Sequence, residues 1–154
     1  MLKIRILTAM VIVPATLAVV FLTPPWAFRL VAALLLLAGC WEFRRIADLA
    51  GRSGWALMTA QTLIVAWMLW FWPVAGAHAL WVLGAGCLTW LLMFSRLFLY
   101  RAADRPDAAF RRLGFLSAIA AISFGSFALF WLRDLPHGEI IILLLFLLIW
   151  ASDV

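Results

Sequence analysis

Charged residues are scarce in this sequence. They make up 12% of its 154 residues, whereas 68% are hydrophobic and the mean hydropathy is +1.13. Soluble domains carry about 25% charged and about 45–50% apolar residues. A chain this short leaves much of its surface exposed, so it cannot hide such an excess of apolar residues in a core. The composition therefore excludes a soluble globule and a disordered chain, and it predicts an integral membrane protein.

Cysteine and histidine are also rare, with two residues of each. Cys40 and Cys87 lie within apolar runs and show no CxxC or Cys/His spacing. This excludes a disulfide scaffold and a zinc site, and we expect both to be small buried hydrophobic residues. Neither His78 nor His137 lies near another His, a Cys or a paired carboxylate in the sequence, so we expect interfacial histidines and not a metal pair. The segment around Ser126 lacks the Gly-x-Ser-x-Gly pattern of serine hydrolases. No Gly-rich phosphate-binding loop occurs either.

Long apolar runs are what the sequence has in abundance. A bilayer core of about 30 Å needs about 20 helical residues to cross it. The runs are apolar on all sides and lack the alternation of barrel strands. We therefore predict an all-α, polytopic integral membrane protein with about six transmembrane helices, the last one truncated. The predicted spans are residues 6–22, 27–41, 55–72, 78–99, 113–132 and 140–154.

The basic residues predict how these spans are oriented. Only Arg29 and Arg133 lie on one predicted side, and the other ten flank the N-terminus or the connections between spans two and three and between spans four and five. Those ten are Lys3, Arg5, Arg44, Arg45, Arg52, Arg96, Arg101, Arg105, Arg111 and Arg112. The positive-inside rule therefore predicts a cytoplasmic N-terminus. Because orientation explains the net charge of +5, we expect no nucleic-acid binding.

A charged cluster follows span two and contains Glu42, Arg44, Arg45, Asp48 and Arg52. If the helix continues through it, residues three or four positions apart lie on one face and can neutralise each other. These pairs are Glu42–Arg45, Arg44–Asp48 and Asp48–Arg52. One interpretation is an ordinary helix end with paired charges at the membrane interface. The other is that the surplus bases attract anionic lipid head groups.

Asp153 is the acidic residue that stands out, because it follows the uncharged run 140–151. An acid at membrane depth is costly, so it normally faces a polar cavity, a cation or a partner. The alternative is that the span ends here and the carboxylate is solvated. The predicted orientation brings Asp153 to the cytoplasmic face in either case.

Three segments of the chain resemble bacterial phosphatidate cytidylyltransferases, also called CDP-diacylglycerol synthases. The first is the opening Met1–Ala9 with Pro14 in the first span. The second is Trp41-Glu42-Phe43 followed by Leu49-Ala50-Gly51. The third is the final run ending in Trp150-Ala151-Ser152-Asp153, which in the family continues into Gly-Ala-Tyr.

The resemblance implies an enzyme of the bacterial inner membrane that transfers CMP from CTP to phosphatidate, with Mg²⁺ as cofactor and a homodimeric assembly. It makes Asp153 the candidate catalytic and metal-binding residue and leaves Glu42 a structural role. The family's Lys- and Asp-rich catalytic signature lies beyond Val154, so we expect residues 1–154 to be an N-terminal portion that is inactive alone. The alternatives are a small transporter subunit or scaffold without activity, and a module that binds lipid head groups.

Overall fold

The computed structural model describes residues 2–49, 51–71, 78–98 and 108–152. Within these ranges the secondary structure consists of helices, which confirms the all-α prediction. The six helices are α1 Leu2–Leu22, α2 Pro25–Ile46, α3 Gly51–Trp70, α4 Ala79–Leu97, α5 Ala108–Asp134 and α6 Gly138–Ser152.

The helices match the predicted spans in number and order but differ from them at their ends. Helix α2 continues to Ile46, five residues past the predicted end, and α5 begins at Ala108 instead of residue 113. Arginine and glutamate are good helix formers, so a helix continues through charged residues after its apolar run has stopped. The predicted span ends at residues 72, 99 and 154 lie outside the described residues.

Two helical segments, Pro25–Ile46 and Phe110–Asp134, are long and apolar enough to cross a membrane. Shorter apolar stretches cover Met10–Leu22, Ala79–Ser95 and Gly138–Ala151. Many large apolar side chains are exposed, and Trp70 and Trp81 are each more than 80% accessible. Such extensive apolar surface is typical of a protein that lies in lipid or binds a partner. Membrane association is therefore supported, and the count of six spans stays a prediction.

The chain forms two compact units, and the first is drawn from Met1–Val31 and Leu129–Val154. In this unit α1 packs against α6. Its fully buried side chains include Val20, Phe130 and Ile142. The turn before α6 is tight, because a methyl group added at Gly138 would collide with the carbonyl oxygen of Leu132. Glycine at position 138 therefore lets α5 and α6 follow each other closely.

The second unit comprises Ala32–Ala128. Its core contains small side chains together with two leucines, namely Cys40, Ala47, Leu49, Leu57 and Ala118. Small residues let helices approach closely, which is how apolar helices pack when burial from water does not drive them together. Gln61 of α3 is fully buried here, and its Nε2 donates a hydrogen bond to Ser123 Oγ of α5 at 3.3 Å.

The two cysteines differ in their surroundings. Cys40 lies in the core of the second unit, as expected. Cys87 is exposed, so the expectation that it is buried is wrong. The reason lies in its neighbour Gly86, which is the residue that packs against the ring of Phe124 in α5. Successive residues on a helix point about 100° apart, so Cys87 is directed away from that contact.

Candidate functional site

The charged cluster of the second unit is built on the turn that ends α2. The Leu49 N–H donates to the Arg44 carbonyl at 2.8 Å, and the Asp48 N–H donates to the Arg45 carbonyl at 3.3 Å. These two bonds form a Schellman motif, in which the residue after the helix has a left-handed backbone. Asp48 occupies that position with a φ of 51°. Glycine is more common there, but aspartate tolerates the conformation better than most residues.

Because of this turn, the charge pairs expected of Asp48 within the cluster are not formed. The pairs Arg44–Asp48 and Asp48–Arg52 required a continuous helix, and α2 ends at Ile46 instead. Asp48 pairs with Arg111 of α5, with 3.4 Å between Oδ2 and Nη1. Glu42 and Arg45 are both exposed on α2 and form no ion pair with each other.

Two glycines allow α3 and α5 to approach this turn closely. A methyl group added at Gly54 of α3 would lie 2.6 Å from the Leu49 carbonyl oxygen. One added at Gly114 of α5 would lie 2.8 Å from Ala47 Cβ. Both distances are shorter than a real side chain allows, so only glycine permits these approaches. Arg111 precedes Gly114 by about one helical turn, so the approach of α5 brings its guanidinium to Asp48.

A cavity of about 380 Å³ opens at this turn and is lined by Arg44, Arg45, Asp48, Leu49 and Gly51. The Arg44 guanidinium carbon lies 3.4 Å from the ring centroid of Trp41, close enough for a cation–π contact. Trp41 in turn meets Trp55 of α3 edge to face, with ring centroids 5.9 Å apart. Aromatic contacts thus hold Arg44 in place, while Arg45 is exposed.

The first unit contains a second charged cluster, in which basic and acidic side chains are equal in number. Arg133 is largely buried, its Nη1 donates to Glu139 at 3.3 Å, and its Nη2 donates to the Thr23 carbonyl at 3.1 Å. Arg29 lies 3.6 Å from Asp134. Two bases thus face two acids, and the cluster carries no net charge. We interpret it as a structural link between the chain after α1, the first turns of α2, the end of α5 and the start of α6.

A comparison with protein families identifies the chain. The cytidylyltransferase family matches residues 3–154, nearly the whole length of the chain. The chain belongs to this family. This match confirms the resemblance drawn from three short segments. Membership of the family makes the protein a nucleotidyltransferase that uses a CTP-type nucleotide. No solved structure matches the chain.

Asp153, the predicted catalytic and metal-binding residue, lies outside the described residues. Ser126 is fully buried, and its hydroxyl donates to the Ile122 carbonyl at 2.7 Å. Among residues 2–49, 51–71, 78–98 and 108–152, no group of three or more His, Cys, Asp or Glu side chains could hold a metal ion.

The cavity residues were found by the sequence analysis only in part. Arg44, Arg45 and Asp48 were singled out as one charged cluster. Arg111, which pairs with Asp48 but does not line the cavity, was assigned only to the basic flank of span five. Asp48 and Arg111 are separated by 63 residues, and no local pattern joins them. Gly54 and Gly114 both approach this turn closely, but Gly39, Gly84 and Gly125 have open space around them, so glycine alone would not have marked the site in the sequence.

Proposed function

We propose that the chain belongs to an enzyme that transfers CMP from CTP to phosphatidate, giving CDP-diacylglycerol and pyrophosphate. The observation that carries the proposal is the family match over residues 3–154, which supplies the nucleotide half of the reaction. The lipid half is supported by the apolar character of the chain and by its two helices long enough to cross a membrane. Family membership favours an enzyme over a transporter subunit or a scaffold.

The reaction is a nucleotidyl transfer between two polyanions. A phosphate oxygen of phosphatidate attacks the α-phosphorus of CTP and forms a new P–O–P bond. The bond from the α-phosphorus to the oxygen bridging it to the β-phosphorus breaks, and pyrophosphate leaves with that oxygen. Because both substrates are negatively charged, fixed cations are needed to bring them together. Arg44, Arg45 and Arg111 supply such charge at the end of α2.

The family resemblance implies Mg²⁺, which would lower the charge repulsion between the phosphates when bound. The described residues do not form a site for it. Mg²⁺ binding by Asp153 stays a prediction. We further propose that the protein lies in the bacterial inner membrane with a cytoplasmic N-terminus and that it forms a homodimer.

The proposal is tested with the complete protein purified in detergent. Incubation with CTP, dioleoyl phosphatidate and Mg²⁺ should yield CDP-dioleoylglycerol and pyrophosphate in equal amounts, and chelation of the metal should stop the reaction. Replacing phosphatidate with dioleoylglycerol is the control, because this lipid lacks the attacking phosphate. A protein that transfers CMP from CTP to another phosphate-bearing acceptor, but not to phosphatidate, would contradict the assignment.

Asp153 is tested in the same assay. We expect Asp153→Asn to lower kcat at least about a hundredfold, because the amide removes the charge needed to bind a metal ion near the phosphates. Glu42→Gln is the matched control, since Glu42 is exposed on α2 and carries only a structural assignment. Full activity of Asp153→Asn would show that the role assigned to this residue is wrong.

A further inference from the structure

We infer that the second unit contains a binding site for an anionic phospholipid, with the headgroup phosphate in the arginine-lined cavity and an acyl chain in an adjoining groove. The inference deepens the proposed function and rests on it for the identity of the lipid as phosphatidate. Its physical basis is the order of charged, aromatic and apolar side chains along α2 and α3.

The headgroup end of the site is the cavity at the end of α2. Arg44 and Arg45 line it, and its single acidic wall residue, Asp48, is offset by Arg111 at 3.4 Å. The cavity therefore has a surplus of positive charge. Arg45 is exposed and forms no ion pair within the part of the chain that the structure describes. A planar guanidinium binds two phosphate oxygens at once, which suits it to a phosphomonoester.

The acyl end of the site is a groove of about 330 Å³ beside the cavity. Its α3 residues are spaced as i, i+3, i+4, i+7 and i+8, so they form one continuous face of the helix. Together with Trp41 of α2, the lining residues are Trp55, Met58, Thr59, Thr62 and Leu63. The face runs for about 12 Å along the helix axis. Trp55 and Leu63 are each more than 60% exposed, so the groove is open along the side of the helix.

The two parts of the site meet at Arg44 and Trp41. Arg44 lines the cavity, Trp41 lines the groove, and the guanidinium of the one lies against the ring of the other. The order along the site is therefore cation, tryptophan pair and apolar helix face. This is the order of phosphate, glycerol region and acyl chain in a phospholipid at a membrane interface, where tryptophan is enriched. A nucleotide or free phosphate would occupy only the cationic end, so we assign the site to a lipid.

The inference is tested by measuring lipid binding to the complete protein in detergent with native mass spectrometry. We expect Arg45→Gln to weaken binding of dioleoyl phosphatidate about tenfold, because it removes a charged hydrogen-bond donor. Thr62→Trp should weaken it by a similar factor by filling the groove. The matched controls are Arg112→Gln, an exposed arginine outside the cavity, and Leu88→Trp on an exposed face of α4. Both controls should bind within twofold of the unchanged protein.

Two further ligands separate the possible sources of the phosphate. CTP and inorganic phosphate should compete poorly with phosphatidate, and their binding should be unaffected by Thr62→Trp. If Arg45→Gln weakens CTP binding and leaves phosphatidate binding unchanged, the cavity is a nucleotide site and the inference is wrong. If Thr62→Trp does not fold, as judged by thermal unfolding, Leu63→Gln tests the same groove with a smaller change. Unchanged phosphatidate binding in the Arg45 and groove variants overturns the inference.

The binding measurement tests the lipid site, the activity measurement tests the proposed reaction, and either claim can be contradicted without the other. A protein that binds phosphatidate through Arg45 but forms no CDP-diacylglycerol would retain the site and contradict the proposed function. A protein that forms CDP-diacylglycerol with the same KM for phosphatidate in the Arg45→Gln and Thr62→Trp variants would retain the function and contradict the site.

Discussion

Asp48 has the left-handed backbone that its turn requires, and its side chain reaches Arg111 as well. The ion pair joins two side chains that are each about half exposed, with 44% and 56% of their surface accessible. Exposed pairs of this kind contribute about 0–1 kcal/mol to stability. The backbone requirement is therefore the stronger constraint on residue 48.

The relative importance of the backbone conformation and the ion pair is testable with two substitutions that both remove the ion pair. We expect Asp48→Val to lower the free energy of unfolding by about 1–2 kcal/mol relative to Asp48→Asn, because a β-branched side chain is strained at a positive φ and asparagine is not. Unfolding of the purified protein in detergent measures the difference. Equal stability of the two variants would contradict the claim that the backbone conformation is the stronger constraint on residue 48.

Gly114 provides a second test at the scale of single residues. We expect Gly114→Ala to destabilise the protein by about 1–3 kcal/mol, because the new methyl group would overlap Ala47, whose short side chain cannot move aside. Gly84→Ala is the matched control, since nothing lies within 4 Å of a methyl group added there. Alanine in that open helical position should be neutral or slightly stabilising. An unfolding midpoint that is the same in both variants would contradict the close packing at Gly114.

At this scale the sequence predicted some environments and missed others. Cys40 was correctly expected to be buried, whereas Cys87 is exposed because Gly86 takes the packing position on α4. The charges after span two were recognised as a cluster, but their pairing was wrong because it assumed a continuous helix. Helix α2 ends in a Schellman turn with Asp48 in the left-handed conformation, and Asp48 pairs with a residue 63 positions away, which no local pattern shows.

At the scale of elements, the apolar runs predicted the number and order of the helices. Their ends were predicted less well, because helical hydrogen bonding continues through the arginines that end α2 and begin α5. The cluster around Arg133 was also not foreseen as a network. Its members come from both sides of a turn and from the chain after α1, and only the fold brings them together.

Arg133 tests the contribution of this network to stability. We expect Arg133→Met to lower the free energy of unfolding by about 1–3 kcal/mol, because it removes charge-assisted hydrogen bonds to Glu139 and to the Thr23 carbonyl. Arg112→Met should change it by less than about 0.5 kcal/mol, since Arg112 is exposed. Thermal and denaturant unfolding in the same detergent compare the two. A loss no greater in Arg133→Met than in Arg112→Met would contradict the linking role of the network.

At the scale of the whole molecule, composition alone indicated a membrane protein, and family membership confirms the expected class of enzyme. From the positive-inside rule we expect the cluster with surplus arginine on the cytoplasmic side and the neutral cluster of Arg29, Arg133, Asp134 and Glu139 on the outer side, and this orientation stays a prediction. The lipid substrate and the role of Asp153 stay proposals.

The account depends most on the arginine-lined cavity and Asp153 facing the compartment that contains CTP. Single cysteines at positions 45, 136 and 153, placed in a protein with Cys40→Ala and Cys87→Ala, test this with a membrane-impermeant maleimide. We predict that position 136 is labelled in intact cells, while positions 45 and 153 are labelled only after the membrane is opened. Labelling of position 45 or 153 from outside intact cells would contradict the proposed reaction.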